Sequence, residues 1–296
     1  MDLALVVNAL KRSTPQVLQR IREAVPRRGN RLLLWSPPIH ELRARADCGS
    51  ALDGYELVDD VHAGEVVLAL GGDGTLLTAV RLLGDDLRPL LGINLGSLGF
   101  LTDTPEERAG EAVQRVLAGR YRCDPRMLLE ATLAAGSAPP ERLCGLNDVV
   151  LHGPSARVLE FSLEAAGTGL GSTMADGVIV ATPSGSTAHS LSAGGPVVSP
   201  RLRALIMTPI SAHTLSMRPL VVSADEGVEI RLLRTATPHA EISVDGHACC
   251  ALSEGDSIVV RAAEEDLQLV RTQDHSFYNT LRNKLAWGHR RYTSSD

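Results

Sequence analysis

Residues 65–75 read EVVLALGGDGT and join a strand pattern directly to a helix pattern. The apolar run at 65–70 predicts a buried strand, and TLLTAVRLL at 75–83 predicts a helix. Between them, three glycines allow the backbone to turn sharply and to come close to a ligand. The start of the helix adds unpaired N–H groups and a partial positive charge. The segment therefore predicts a phosphate-binding loop. Its members are Gly71, Gly72, Gly74 and Thr75.

The acidic residue of this loop needs its own explanation, because a carboxylate repels a phosphate chain. Asp73 fits the position if it accepts a proton from a hydroxyl group or holds a metal ion against the phosphates. The alternative is a tight turn closed by an Asx-type hydrogen bond. The loop is not a Walker A loop, because no GK[ST] follows, and it is not the dinucleotide fingerprint GxGxxG.

Strand and helix patterns alternate on both sides of the loop. Further strands are predicted at 3–8, 31–35 and 89–94, and further helices are predicted to begin at Ser13 and Thr104. The segment TPEE at 104–107 has capping-box spacing, with proline at the first helical position. Strands that alternate with helices imply a parallel sheet covered on both faces. We expect a Rossmann-like α/β domain over about residues 1–122.

The pattern changes after Tyr121. Short strand-like segments follow at 127–133, 157–165, 178–182, 220–223, 228–233, 240–244 and 257–261, with Gly, Ser, Pro and Asp between them. They predict an all-β domain over about residues 123–272. The last stretch, SFYNTLRNKLAWG at 276–288, is helical again. It carries an apolar stripe that needs a surface to pack on. The stripe consists of Phe277, Leu281, Leu285 and Ala286.

Composition argues against several classes of protein. The 296 residues are 44% hydrophobic and 22% charged, with a formal net charge of −6 and no block of basic residues, so nucleic acid and anionic membranes are not expected partners. No apolar segment has the length of a transmembrane helix, and the acid at position 2 does not suit a signal peptide. A cytoplasmic protein is expected. The five cysteines include no CxxC pair, so neither a disulfide framework nor a zinc site is expected.

A second long motif lies at 176–200 and reads DGVIVATPSGSTAHSLSAGGPVVSP. It begins as a strand and continues as a loop dense in Gly, Ser and Thr, which offers many small donors and bare backbone to a polar ligand. Connections of this length usually carry function. Upstream, Asn147 and Asp148 stand at the start of a strand, where they could bind a ligand or close a turn. Both interpretations remain open from the residues alone.

Several of these stretches resemble kinase signatures. GGDGT at 71–75 is similar to a signature shared by NAD kinases, diacylglycerol and sphingosine kinases and 6-phosphofructokinases, all of which transfer a phosphoryl group to a hydroxyl. The segment 176–200 resembles the second signature of NAD kinases, DG-apolar-STPTGSTAYSLSAGGP. Five further segments resemble that family over roughly residues 65–288. They are GINLGSLGFLT at 92–102, RMLL at 126–129, NDVV at 147–150, HTLSMRPL at 213–220 and LRNKL at 281–285.

The resemblance to the NAD kinase family implies an activity. Such an enzyme transfers the γ-phosphoryl group of ATP, with Mg²⁺ as the expected metal ion, to the 2′-hydroxyl of the adenosine ribose of NAD. The resemblance also implies a homodimer or homotetramer, an active site between the two domains, and a C-terminal helix, within 273–296, that returns to the first domain. Asp73 becomes the expected general base. No side chain is assigned to a metal ion.

The same resemblance implies a set of NAD-binding residues. They are Asp73, Gly74, Asn147, Asp148, Arg157, Asp176, Thr187, Ala188, His189, Ser190, Leu191, Ser192 and His247. Asp176 matches the family's acid that meets the adenine amino group. His189 stands where the family usually has tyrosine, and an imidazole can still stack on the dinucleotide. Met174 is apolar where some relatives carry a cation, which leaves the preference between NAD and NADH open.

Two rival functions remain. The shared GGDGT would also suit a kinase of a sugar phosphate or a lipid, although the 176–200 motif argues against it. An NAD-binding regulator without catalysis is the other, and the intact Asp73 with its glycine-rich loop argues against that.

Overall fold

The computed structural model describes residues 1–26, 29–43, 49–134, 141–154, 157–214, 216–274 and 276–286. Residues 287–288 of the predicted last helix and residue 215 of the HTLSMRPL segment lie outside the described residues. By its contacts the chain divides into two compact units. Met1–Asp124 and the chain from Leu269 onward form the first unit, and Pro125–Gln268 form the second.

The elements are numbered along the chain. The helices are α1 (Thr14–Ala24), α2 (Ile39–Arg43), α3 (Asp73–Leu83), α4 (Ala109–Leu117), α5 (His189–Ser192) and α6 (Phe277–Leu285). The strands are β1 (Asp2–Val7), β2 (Arg31–Trp35), β3 (Glu56–Val58), β4 (Val66–Gly71), β5 (Leu90–Asn94), β6 (Thr104–Pro105), β7 (Arg122–Arg126), β8 (Leu129–Ala134), β9 (Glu141–Gly145), β10 (Asp148–His152), β11 (Leu159–Ala165), β12 (Thr168–Ala175), β13 (Gly177–Ala181), β14 (Ala204–Ile210), β15 (Leu220–Ser223), β16 (Val228–Thr235), β17 (Ala240–Val244), β18 (His247–Leu252), β19 (Ser257–Ala262) and β20 (Leu267–Arg271). Short 3₁₀ turns are at Gly49–Leu52, Val61–Ala63, Glu106–Arg108 and Gly185–Thr187.

The first unit is a mixed α/β structure around one sheet of order β3-β2-β1-β4-β5-β20-β7, with β6 beside β5. Strands β1 to β5 pair in parallel, as predicted from the alternation of strands and helices. Leu3 and Leu5 of β1 pack in a core with apolar residues of α1 and α4. The alternate residues Ala4 and Val6 are also buried, and α3 contacts β1 and β4. The sheet is therefore covered on both faces.

The second unit is β-rich. One six-stranded sheet has the order β15-β14-β13-β10-β17-β18, and the other has the order β12-β11-β16-β19-β8-β9. Residues of both sheets, such as Val149, Val178 and Phe161, share one buried core. Among the described residues Phe161 is the largest fully buried side chain, and its burial contributes about 1.5–3 kcal/mol. The two sheets therefore form a sandwich.

Two sequence expectations were wrong in detail. Thr104 does not cap a helix, because it pairs with Ile93 as strand β6 and helix α4 begins only at Ala109. The apolar stripe of the last helix is not buried: no described residue of α6 is buried, and Leu285 is 39% exposed. Its contact is aromatic instead, with the Phe277 ring centroid 6.1 Å from that of Phe100.

Candidate functional site

The glycine loop lies at the carboxyl end of β4, whose six residues are all buried. Helix α3 begins at Asp73, two residues earlier than predicted, with Gly72 as its N-cap in an extended conformation. Gly71 is required by packing, because a β-carbon there would stand 2.0 Å from the Thr75 hydroxyl oxygen. A β-carbon on Gly72 or Gly74 would meet no atom within 4 Å. The surface of the loop is therefore bare backbone that a ligand can approach.

The Asp73 carboxylate accepts four hydrogen bonds from one segment. Oδ2 accepts from Phe100 N at 2.9 Å. Oδ1 accepts from Leu101 N at 3.2 Å, from Thr102 N at 3.0 Å and from the Thr102 hydroxyl at 2.9 Å. The side chain is only partly buried. One carboxylate oxygen is thus heavily engaged, and the other accepts a single bond from this segment.

Asn94 and Arg271 hold that segment in place. The buried Asn94 amide donates to the Thr102 hydroxyl at 2.8 Å, which leaves the hydroxyl hydrogen for Asp73. Arg271 Nη1 donates to the Leu101 carbonyl at 3.1 Å and pairs with Asp103 at 2.9 Å. Arg271 is 3% exposed, so this anchor is built into the core. Neither Asn94 nor Arg271 was singled out from the sequence; the segment GINLGSLGFLT contains Asn94, and no motif contained Arg271.

In the second unit, Asp245 organises the segment that carries Asn147 and Asp148. Its carboxylate accepts from the backbone N–H groups of Leu146, Asn147 and Asp148, at 2.8, 2.7 and 3.1 Å. Asp245 and Gly246 have φ of 50° and 79°, and they form the turn between β17 and β18.

The two carboxyl groups of this cluster share a poorly solvated site. Burial, and secondarily the charge of Asp245, raises the pKa of Asp148 to about 7. Burial also raises the pKa of Asp245, while its three backbone donors and the nearby His247 oppose that shift. A carboxyl group that is protonated near neutral pH can donate a hydrogen bond to a ligand.

The 176–200 segment docks directly on the same cluster. Thr182 N donates to the Asn147 carbonyl at 2.8 Å, and the Thr182 hydroxyl donates to the Leu146 carbonyl at 2.6 Å. A β-carbon on Gly185 would stand 2.0 Å from the Asn147 carbonyl oxygen, so glycine is required there. The chain then forms the 3₁₀ turn Gly185–Thr187 and helix α5. The structure therefore brings the start of α5 and the 147–148 segment into one region of the unit.

The remaining predicted NAD-binding residues differ in how far their side chains are buried. Ser190 is fully buried and its hydroxyl pairs with that of Thr208 at 2.8 Å, so its side chain supports α5 from inside. His189 is exposed, and partial burial, followed by the charge of His152, lowers its pKa. Thr187, Ala188 and Leu191 are partly buried, and Ser192, Arg157 and His247 are exposed.

Asp176 lies at the far end of β13 from this cluster. The antiparallel register places Ala181 opposite Asp148 and Gly177 opposite His152. Five residues of strand therefore separate Asp176 from the level of Asp148, a distance of about 16 Å at 3.3 Å per residue. The structure does not bring Asp176 together with Asn147 and Asp148.

A cavity of about 410 Å³ opens at the carboxyl edge of the sheet of the first unit. It is lined by Val6, Val7, Asn8, Ala9, Leu10, Lys11, Trp35, Pro38, Glu41, Gly72, Gly74, Thr75 and Thr78. Among the described residues, no group of three or more His, Cys, Asp or Glu is arranged to hold a metal ion. No helix in the described part of the chain is long and apolar enough to cross a membrane.

Comparison with known proteins gives consistent matches over both units. The family model described as the ATP-NAD kinase N-terminal domain matches residues 3–121, and the one described as the ATP-NAD kinase C-terminal domain matches residues 146–272. The chain is 42% identical over 227 residues to an NAD kinase of Chromohalobacter salexigens, covering 76% of this chain and 78% of the relative. It is 36% identical over 276 residues to an NAD kinase of Shewanella baltica, covering 93% and 87%.

Solved structures match as well. The crystal structure of yeast NADH kinase complexed with NADH has a TM-score of 0.86 and 26% identity, and the match covers 100% of this chain and 90% of that one. An NAD kinase from Archaeoglobus fulgidus in complex with ATP has a TM-score of 0.71 and 25% identity, covering 97% and 99%.

Proposed function

The chain belongs to the NAD kinase family, and from this premise we propose how its residues phosphorylate NAD. The enzyme transfers the γ-phosphoryl group of ATP to the 2′-hydroxyl of the adenosine ribose of NAD, and it releases NADP and ADP. The observation that carries the residue assignment is the position of Asp73. It is the first residue of α3, it directly follows the glycine loop, and its Oδ2 accepts only one of the four bonds from segment 100–102.

Asp73 acts as the general base through Oδ2. Each carboxylate oxygen has about two lone-pair directions, so Oδ2 can accept the ribose 2′-hydroxyl in addition to Phe100 N. The ribose oxygen forms a bond to the γ-phosphorus while the bond from that phosphorus to the β–γ bridging oxygen breaks. The hydroxyl proton passes to Oδ2, and ADP leaves with the electron pair of the broken bond. Oδ1, held by three donors, keeps the carboxylate oriented during the transfer.

Asn147 and Asp148 bind NAD, with ribose hydroxyl groups as their ligands. Support comes from the Asp245 carboxylate, which fixes the backbone of both residues, and from the raised pKa of Asp148. A protonated Asp148 donates a hydrogen bond and adds no charge repulsion against the pyrophosphate. Exposed His189, at the start of α5, presents its imidazole face to the dinucleotide.

ATP brings its own divalent metal ion, and Mg²⁺ fits this role because it is commonly bound through substrate phosphates. In the part of the chain that the structure describes, no group of three or more His, Cys, Asp or Glu is arranged to hold a metal ion. When bound, the ion neutralises charge on the transferring phosphates.

The proposal extends to the fold of the first unit, to helix α6 and to the oligomeric state. The first unit is a Rossmann-like nucleotide-binding domain, supported by the parallel strand order β3-β2-β1-β4-β5. Helix α6 returns to that domain, supported by the approach of Phe277 to Phe100. In keeping with its family, the protein works in the cytoplasm as a homodimer or homotetramer.

The direct test measures NADP formed by the purified protein from NAD and ATP. Fructose 6-phosphate, diacylglycerol and sphingosine serve as rival acceptors under the same conditions. NADP formation with NAD alone among these acceptors supports the proposal. Phosphorylation of a sugar phosphate or lipid with no NADP would overturn it.

A further inference from the structure

Arg271 is the last residue of strand β20 and is buried inside the first unit. Strand β20 lies between β5 and β7 in the sheet. The Arg271 Nε donates to the Asp124 carboxylate of β7 at 3.2 Å, and Nη1 pairs with Asp103 at 2.9 Å. A guanidinium group keeps its charge in a protein interior, so it needs such partners when it is buried. These two ion pairs alone would make Arg271 a packing element of the sheet.

Another contact of Arg271 goes to a backbone group. Its Nη1 donates to the Leu101 carbonyl at 3.1 Å. That carbonyl shares one planar peptide group with the Thr102 N–H, and the two bonds of a trans peptide point in opposite directions. The Thr102 N–H donates to Asp73 Oδ1 at 3.0 Å. A single peptide group therefore stands between the Arg271 cation and the Asp73 anion.

This arrangement strengthens the hydrogen bond to Asp73. A charged donor on the carbonyl oxygen polarises the peptide group and makes its N–H a better donor, because hydrogen bonds in series reinforce one another. Leu101 and Thr102 are both buried, so the interaction is only weakly screened. The same Nη1 also holds Asp103, the residue after Thr102, which fixes the peptide group from a second point. Arg271 therefore acts on Asp73 without touching it.

The position of Oδ1 determines where the other carboxylate oxygen of Asp73 points. Three donors hold Oδ1, and two of them belong to Thr102. A shift of the Leu101–Thr102 peptide would rotate the carboxylate and move Oδ2 away from the ribose hydroxyl. Rates of catalysis fall steeply with displacements of this kind. The contact between Arg271 and Leu101 is therefore a contact on which the rate of the reaction can depend.

We propose that Arg271 is a positioning residue for the general base, which holds Asp73 Oδ1 in place through the Leu101–Thr102 peptide group and so sets the rate of phosphoryl transfer. The inference rests on the proposed function, because it takes Asp73 as the base. All of these residues belong to the first unit. Arg271 thus adds to the site a residue that follows Asp73 by almost two hundred positions in the sequence and that contacts neither substrate.

Steady-state kinetics on two Arg271 variants test the proposal. Asp103 and Asp124 are partly exposed, so water can solvate both carboxylates and Arg271→Met is expected to fold. Its kcat for NADP formation should fall about 100-fold, while the KM values for NAD and ATP change by less than about twofold. Arg271→Lys keeps the charge without the fork of donors, so its kcat should fall about tenfold. It gives the answer if Arg271→Met does not fold.

Unchanged kcat in Arg271→Lys, or a raised KM with unchanged kcat in Arg271→Met, would overturn the proposal. Two control variants separate positioning from structural support. Arg115→Met removes the donor to the Thr272 carbonyl at 2.8 Å, so it loosens the chain next to Arg271 and leaves the Leu101 contact in place. Asp124→Asn removes one negative partner and keeps an oxygen for Nε. Both should lower the melting temperature slightly and keep kcat within about twofold of the wild type. A fall in kcat in Asp124→Asn as large as in Arg271→Met would contradict a role through Leu101.

The amide proton of Thr102 reports on the same contact without turnover. A stronger hydrogen bond moves an amide proton resonance downfield, so the Thr102 signal in an NMR spectrum should move upfield in Arg271→Met and move little in Asp124→Asn. The sample contains neither NAD nor ATP, so the measurement gives an answer even if the wild type forms no NADP, a result that would contradict the proposed function alone. A Thr102 resonance at the same position in Arg271→Met and in the wild type would overturn the inference.

Discussion

Gly99 lies directly against the carboxylate of Asp73: a β-carbon at residue 99 would stand 1.8 Å from Oδ1. Gly99 N donates to the Thr102 carbonyl at 3.0 Å, which closes a tight turn. That turn directs the next three backbone N–H groups at one side chain. The orientation of Asp73 is therefore set by residues 99–102 as much as by the helix that carries it.

Replacing Gly99 with alanine tests this relationship. The added methyl group cannot fit unless the carboxylate or the turn moves, so Gly99→Ala is expected to lower kcat at least about 100-fold, as a mispositioned catalytic group does. Gly96→Ala is the matched control in the same segment, because its new methyl group fits without a clash. The nearest atom to it would be Lys11 Nζ, at 3.5 Å. Steady-state kinetics on both proteins measure the two kcat values. Wild-type kcat in Gly99→Ala would mean that the orientation of Asp73 is unimportant.

Asp73→Asn removes the base and keeps the shape. We expect kcat for NADP formation to fall by about 10²–10⁴-fold, with NAD still bound. The new amide group would face backbone donors, so a loss of about 1–3 kcal/mol in unfolding free energy is also expected.

Thr102→Val provides the comparison for that variant. It removes the hydroxyl donor to Oδ1 and leaves the carboxylate, so it shares part of the structural change without the loss of basicity. A much smaller fall in kcat than in Asp73→Asn is expected. If Asp73→Asn turns over at nearly the wild-type rate, Asp73 only shapes the loop, and Asp148 becomes the next candidate for the base.

The buried carboxyl of Asp148 predicts a pH dependence of stability. Its pKa is about 7 in the folded protein and 3.8 ordinarily, so between these values the unfolded chain releases a proton that the folded chain retains. The raised pKa of Asp148 therefore lowers the free energy of unfolding progressively as pH rises from about 4 to 7, by about 1.4 kcal/mol per pH unit at most. The groups that face it are Asp245 and, beside that, His247.

Asp148→Asn removes the titrating carboxyl group and with it this pH-dependent destabilisation. The variant is expected to gain stability relative to the wild type across this pH range, with the gain levelling off above pH 7. Urea denaturation at a series of pH values measures the difference. A constant difference from pH 4 to pH 7 would show that Asp148 does not titrate as described.

His189 is the expected stacking partner of the dinucleotide. Removing an aromatic contact costs about 1 kcal/mol, so His189→Ala is expected to raise the KM for NAD about fivefold and to leave kcat nearly unchanged. His189→Tyr should restore or improve the affinity, because phenol offers a larger ring. Since the lowered pKa keeps the imidazole neutral, the wild-type KM should stay constant between pH 7 and 8. An unaltered KM in His189→Ala would remove this residue from the site.

Helix α6 is expected to matter for rate more than for folding. None of its described residues is buried, but Phe277 contacts Phe100, whose backbone N–H donates to Asp73. A chain ending before Ser276 should therefore remain folded, with a small decrease in melting temperature, while kcat falls clearly. Loss of soluble protein would show instead that the helix is needed for folding.

The sequence predicted the central strands well because they are continuous buried apolar runs, as in β2 and β4. It placed the start of α3 too late, because Asp73 and Gly74 are poor helix formers away from an N-terminus. The position of Asp73 between strand β4 and the body of helix α3, among the loop glycines, was also predictable. Its partner Thr102 was not, since 29 residues separate the two and only the folded sheet brings them together.

The same limit applies in the second unit. Asp245 reaches Asn147 across 98 residues, and a local pattern such as Asp-Gly indicates only the turn. Strand β18, HACCAL, was missed because its exposed, weakly alternating residues carry no period-two signal. Long-range hydrogen bonds therefore limit what this sequence predicts, and strands were missed both at a sheet edge, as with β18, and inside a sheet, as with β14.

Strand β20 has a consequence for the order in which the chain folds. It lies between β5 and β7 in the sheet, yet it follows the whole second unit in sequence. During synthesis, β7 and the Leu90 end of β5 must wait for it with unpaired edges while some 140 residues of the sandwich emerge and can already fold. A ribosome stalled within the second unit would leave those edges open to pairing with other chains. The sheet that holds the glycine loop is therefore completed last, by the end of the chain.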